Sequence, residues 1–363
     1  MTIQIHDPAS HASPAGPAGP SVLVLTGEAN RAFRSTTRTI VGILKEGQLG
    51  ERCQELDARK PIGSVALEAI VDQPERPIKD GEEALVEELA AAPPAVIVAM
   101  DPLAGVLASR WAAELNHPIT VGVIGSLWVD PLWRAAKLDR WIVPDMTIAR
   151  TLHDAGKEPD GLVPIGLGVC GRFGIGVREG RTDCRKALGL HRERPVLLFV
   201  AETLWADDLA PWIEAIANAT PEITVLVDAA GDRLLLLEAR RLHKALGLEG
   251  RVFGRVDEAG LYWGSANRIM GRALDGLSTR ALAFRCPFWS LQPADDRQRG
   301  ILAGQIHLGA GAAVTNPAHL TALLNAGGWD APLDASRLET LAGAAVPQRI
   351  ADAITQMAAE TSG

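Results

Sequence analysis

The chain has 363 residues, too many for one ordinary hydrophobic core and enough for two domains. Apolar residues at 47% and charged residues at 22% exclude a chain that is disordered throughout. Asp and Glu outnumber Lys and Arg by 44 to 36, and a net charge of −8 argues against a general nucleic-acid partner, which needs clustered cations.

Residues 1–20, MTIQIHDPASHASPAGPAGP, are rich in Pro, Ala, Gly and Ser and read as a flexible tail. They lack the basic start and continuous apolar stretch of a secretory leader. Residues 21–27 (SVLVLTG) form a short β-branched and Leu-rich run ending in Gly, as suits a buried parallel strand. Apolar residues at helical spacing follow in 30–44. Strand, Gly turn and helix open a Rossmann-type unit. The alternation then continues. Residues 82–92 read as a helix, 95–101 as a strand, 103–115 as a helix and 118–126 as a strand. Residues 139–145 form a further short strand, and 146–156 a helix closed by Gly156. A second series has strands at 195–202, 222–229, 251–257, 267–273 and 287–293. Helices fall at 184–190, 208–219, 233–248, 261–266 and 276–286, and 309–311 opens a small-residue turn before a strand. Two such series predict two doubly wound parallel sheets with a ligand cleft between them, at the carboxyl ends of the strands. The Gly-rich stretch 169–176 marks the boundary. Gly166, Gly168, Gly174 and Gly176 read as hinge and turn glycines rather than phosphate loops.

No apolar run of eighteen residues occurs, so no spanning helix is expected. Cys53, Cys170, Cys184 and Cys286 form neither a CxxC pair nor a zinc-spaced cluster, and read as reduced, mostly buried thiols. These features predict a cytoplasmic protein with no metal and no cofactor, and leave peripheral contact with the inner face of a membrane open. His243, in a polar helix, reads as solvated.

Residues 121–173 carry Trp133, Asp139 to Pro144, Gly156, Val163 to Val169 and Arg172-Phe173 in a recognisable order. This stretch resembles the monogalactosyldiacylglycerol synthase and processive diacylglycerol glucosyltransferase group. It is similar also to the related peptidoglycan N-acetylglucosaminyltransferase of glycosyltransferase family 28. Residues 223–242, 251–267, 271–288 and 292–314 are similar to later segments of the same group. The resemblance implies a GT-B fold, two Rossmann-like domains facing a central cleft. It implies an acceptor-side domain at 21–170, a nucleotide-sugar-side domain at 171–346, and a helix in 347–363 returning to the first domain. Its activity is sugar transfer from a nucleotide donor to a lipid-linked or other hydroxyl acceptor.

The motifs of that chemistry depart from the pattern. Asn30 stands where the resemblance implies a His near the reaction centre, and Asn is no base near neutral pH. Glu28 places a carboxylate in the same loop, although a plain strand-to-helix turn explains that loop as well. Asp130 is the remaining candidate base if it faces the cleft; otherwise it starts the next turn. The Gly-rich diphosphate loop is replaced by Ala201-Glu202-Thr203, where Thr203 remains a helix-cap or donor-binding candidate. The resemblance puts backbone contacts to the nucleotide base at Arg255 and Val256. Arg280 takes the place of a Glu that would accept the ribose hydroxyls, and Arg only donates. Gln298 survives without its companion Asn. Two functions follow: a glycosyltransferase-like enzyme acting on a nucleotide sugar, or a catalytically silent GT-B protein that binds a ligand or a protein partner. A sugar epimerase on the same scaffold is the weaker third, since its expected His and Glu are not evident.

Overall fold

A computed structural model describes residues 21–27, 31–63, 82–169, 173, 179–202, 204–219, 222–329 and 333–361. The tail 1–20, and with it that expectation, lies outside the described residues. The twelve described strands form two six-stranded, wholly parallel sheets. The first contains β1 (Val22–Thr26), β2 (Cys53–Asp57), β3 (Val96–Ala99), β4 (Ile119–Val123), β5 (Arg140–Val143) and β6 (Leu162–Pro164), in the order β2-β1-β3-β4-β5-β6. The second contains β7 (Val196–Val200), β8 (Thr224–Asp228), β9 (Gly250–Phe253), β10 (Arg268–Gly271), β11 (Phe288–Leu291) and β12 (Gly311–Val314), in the order β12-β11-β10-β7-β8-β9.

Central strands are buried on both faces, which is why β3 (VIVA) and β7 (VLLFV) read as unbroken apolar runs. Successive side chains serve opposite layers. In β1, Leu23 and Leu25 join the layer containing Trp111 and Trp141, whereas Val22 and Val24 join the layer containing Ile40 and Leu44. In β7, Val196, Leu198 and Val200 face Trp263, whereas Leu197 and Phe199 face Ile213 and Leu235. Fully burying one such side chain contributes about 1.5–3 kcal/mol. The edge strand β2, CQELD, has a mostly accessible pattern and no apolar run, and the sequence reading passed over it.

The last helix, Val346–Glu360, belongs to the first half despite its place in the chain. Ile350, Ile354, Met357 and Ala358 fill the layer under β1 and β3, against helix Arg31–Glu46.

Candidate functional site

The strands of a parallel sheet send their carboxyl ends, and the loops after them, to one side, and ligands settle where the strand order reverses. That reversal falls between β1 and β3 in one sheet and between β7 and β10 in the other. The loops after these strands enclose one cavity of about 470 Å³, walled by both halves.

The first half gives this cavity an uncharged wall that includes Ser35, Thr36, Met100, Ile124 and Gly125. Gly166 and Gly168 also line it, but their backbones are committed to protein. A Cβ on Gly168 would lie 2.7 Å from Thr36 Cγ2, and the Gly168 carbonyl accepts the Thr36 hydroxyl at 3.2 Å. Gly166, at φ +135°, lies against the Leu341 carbonyl. The N–H of Gly27, after β1, donates to Asp101 Oδ2 at 2.8 Å, and Asp101 also caps helix Pro102–Glu114 through Ala104 N–H. Asn30 and Glu28 lie outside the described residues.

Among the described residues, the charge on the cavity comes from the second half: Glu202, Asp228 and Asp275 against Arg255, Arg280 and Arg297. The guanidinium of Arg280 lies 4.5 Å from the Trp263 ring centroid and 5.0 Å from that of Phe173. Its Nε donates to the Gly276 carbonyl at 2.6 Å, and Nη2 stands 3.8 Å from Glu202 Oε2. Phe173 and Trp263 themselves meet edge to face at 5.8 Å. Arg280 therefore has a ring platform, a backbone acceptor and a carboxylate before any ligand arrives. Arg297 donates twice to Asp275 Oδ2, at 3.0 Å from Nε and 2.7 Å from Nη2, and the Asp275 side chain is only 3% exposed. Its Oδ1 has no hydrogen-bond partner. Asp228 accepts the Ala230 N–H at 2.8 Å. Arg255 is exposed on the rim and makes no ion pair among the described residues. Among the described residues of this wall, three acids balance three arginines.

The remaining sequence candidates fall elsewhere. Asp130 accepts the Leu132 N–H at 2.9 Å as the cap of the short helix Pro131–Ala135 and is not part of the cavity lining. Gln298 is buried in the first turn of helix Asp296–His307, where its amide bonds Asp295 and Ala294 rather than the cavity. Val256 packs against the second core while its neighbour Arg255 lines the cleft. Thr203 lies outside the described residues, but the helix after β7 begins at Ala210 with Leu209 at its cap position. The reading of His243 is corrected. It is half-buried rather than solvated, and burial pushes its imidazole below the ordinary range against a backbone hydrogen bond with Val225. Cys53, Cys184 and Cys286 are buried free thiols, and burial raises Cys184 to about 11 and Cys286 to about 12. Cys170 lies outside the described residues. No group of metal-ligating side chains occurs among the described residues, nor any helix long and apolar enough to cross a membrane.

The stretch that carries the resemblance proves to be scaffolding. Trp133 stacks edge to face on Trp141 at 5.6 Å and presses on Gly105, where a Cβ would fall 2.5 Å from the ring. The Asp139 carboxylate accepts both Thr120 N–H and its hydroxyl, at 2.8 and 2.7 Å, and ties β4 to the approach of β5. Phe173 supports Arg280.

Two facing, doubly wound domains of this kind, with a C-terminal helix in the first domain's core, define a GT-B α/β fold. Solved structures agree. Acinetobacter baumannii MurG superposes with a TM-score of 0.63 at 13% identity, over 93% of this chain and 100% of that one. Anabaena HepE in complex with UDP gives 0.55 at 15% identity, over 93% and 100%. Neisseria meningitidis UDP-GlcNAc 2-epimerase bound to UDP-GlcNAc gives 0.58 at 9% identity, again over 93% and 100%. No family model and no curated protein matches the chain. The shared property is the fold, and that fold is common to transferases and epimerases alike.

Proposed function

We propose that this chain is a glycosyltransferase-like protein whose cleft is a binding site that has lost sugar transfer. The observation that carries the reading is the state of Arg280. At the position of the implied ribose acceptor stands a cation that only donates, already held by Trp263, Phe173, Gly276 and Glu202. Seating a nucleotide sugar there requires breaking those contacts and bringing a diphosphate beside Glu202 and Asp228. The candidate base Asp130 caps a helix and is not among the described residues that line the cleft, which weighs on the same side. On this reading the partner is a ligand other than a common nucleotide sugar, or a protein that uses the scaffold.

One observation favours the alternative, an active transferase. The cavity persists at about 470 Å³, and the unpaired Arg255 on its rim is free to meet a phosphate. Calorimetric titration with UDP, GDP, dTDP and their common sugars separates the two. The proposal expects no micromolar binding by the unmodified chain and measurable UDP binding after the double substitution Arg280→Glu with Glu202→Gly. Micromolar binding by the unmodified chain overturns it and restores the transferase.

A further inference from the structure

A glycine inside a helix weakens it, so two on one face of the same helix call for a packing reason. Helix Asp296–His307 carries Gly300 and Gly304, four residues apart and therefore stacked on one face. The reason comes from the other half of the molecule. The loop after β4 lays Leu127 and Trp128 on that face. A Cβ on Gly300 would fall 2.6 Å from Trp128 Cγ and 2.7 Å from its Nε1; one on Gly304 would fall 2.7 Å from Leu127 Cβ. The loop is shared between two cores. Leu127 is buried among second-half residues that include Ile301 and Leu302, with Trp128 packed against them, whereas Val129 is buried in the first half beside Leu132 and Trp133. The Ser126 hydroxyl accepts the Trp128 N–H at 3.0 Å and fixes the turn that presents the ring.

Both ends of this contact lead directly into the cleft. Gly125, three residues before Trp128, lines one wall, and Arg297, three residues before Gly300, lines the other. Helices Arg31–Glu46 and Asp275–Ala283 also meet across the two halves, whereas Trp128 and Leu127 enter a recess made by missing side chains. We propose that Trp128, seated on Gly300 beside Leu127 on Gly304, is the latch that holds the two domains closed and sets the width of the cleft. The domains part when the ring leaves its seat. The inference stands independently of what the cleft binds.

The test is a double-substitution cycle on the full chain, read by small-angle X-ray scattering and thermal unfolding. A compact chain of this length has a radius of gyration of about 21 Å. Gly300→Ala on an unobstructed helix face would raise Tm and leave the scattering unchanged. The latch predicts the opposite: Gly300→Ala lowers Tm and enlarges the particle, because the new methyl unseats the ring. Trp128→Ala, which introduces no clash, also enlarges it. Adding Gly300→Ala to Trp128→Ala then produces no further expansion and no further loss of Tm. An unchanged radius for Trp128→Ala, or a Gly300→Ala effect that is the same with and without Trp128, overturns the latch. Trp128→Ala keeps the proposal testable should the Gly300 variant fail to fold.

Discussion

The two walls of the cleft are built from the same kind of unit and differ in chemistry. In each half the lining comes from the carboxyl ends of parallel strands next to the point where strand order reverses. The first half contributes small, apolar and hydroxyl side chains, and its nearby polar groups are bound to its own backbone, as Gly27 is to Asp101 and Thr36 to Gly168. Among the described residues, the second half contributes six charged side chains. Asp275 and Arg297 pair with each other, as Glu202 and Arg280 do. One fold thus supplies a wall that shapes and a wall that is charged, and the charge is largely cancelled within the protein. Fold alone does not separate a transferase from a binding scaffold.

The comparison can be broken most forcefully at the platform of the charged wall. Trp263 is fully buried and carries Phe173, Phe284 and Arg280 against it. Trp263→Ala should cost the second half about 3–5 kcal/mol. Urea unfolding should then show that half melting first, as a separate transition. A single coincident transition for the variant would mean that the two halves are energetically one unit. Next in size, Arg297→Ala leaves the Asp275 carboxylate buried without its partner. We expect a loss of about 3 kcal/mol, at the lower edge for a broken buried pair because Arg297 is partly in solvent. Ser35→Ala and Thr36→Ala on the uncharged wall should stay within about 0.5 kcal/mol. Equal losses on both walls would erase the distinction.

Arg280→Ala removes two ring contacts and a partly exposed pair with Glu202, and should cost about 1–2 kcal/mol by the same unfolding measurement. Arg280→Lys should recover only part of that loss, since an ammonium does not stack as a planar guanidinium does.

Acid should separate the halves more gently. His243 in the second half binds its proton more weakly folded than unfolded, because burial disfavours the charged ring. Stability there is complete above about pH 6.5 and falls as pH drops from that value through the lowered folded value. Asp57 in the first half behaves differently. Burial alone would raise its carboxyl, but hydrogen bonds from Arg59 and the charges of Arg59 and Arg34 hold it below the ordinary range. Its contribution persists to about pH 3.9 and is lost only as pH falls further. Unfolding measured between pH 7 and 4 should show the second half weakening first, and His243→Gln should flatten that slope. An imidazole titrating at or above its ordinary value by NMR would contradict this.

Much of the architecture was readable from residue order because buried parallel strands are unbroken apolar runs. Val96–Ala99 and Val196–Val200 each show the pattern. The same logic hid Cys53–Asp57, an edge strand whose polar residues meet solvent and leave no run to detect. In the candidate site, the donor-only character of Arg280 and the carboxylate of Glu202 are properties of single residues, and the sequence displays them. That Asp130 spends its carboxylate on Leu132, or that Gln298 spends its amide on Asp295, depends on local backbone geometry, and residue type leaves both roles open.

What the sequence by itself determined is the alternation of strands and helices, the two-domain plan and the chemistry of single side chains such as Arg280 and Glu202, because burial periodicity and side-chain chemistry are local properties. Only the tertiary structure decided that Phe173 and Trp263 would grip Arg280, that Asp275 would find Arg297, and that Trp128 and Leu127 would sit on Gly300 and Gly304 respectively. Those pairs are separated by 17 to 177 residues of chain, as their numbering shows, and no periodicity records them. They form because two sheets, each folded by its own local pattern, bring their strand ends together and leave these side chains to satisfy one another.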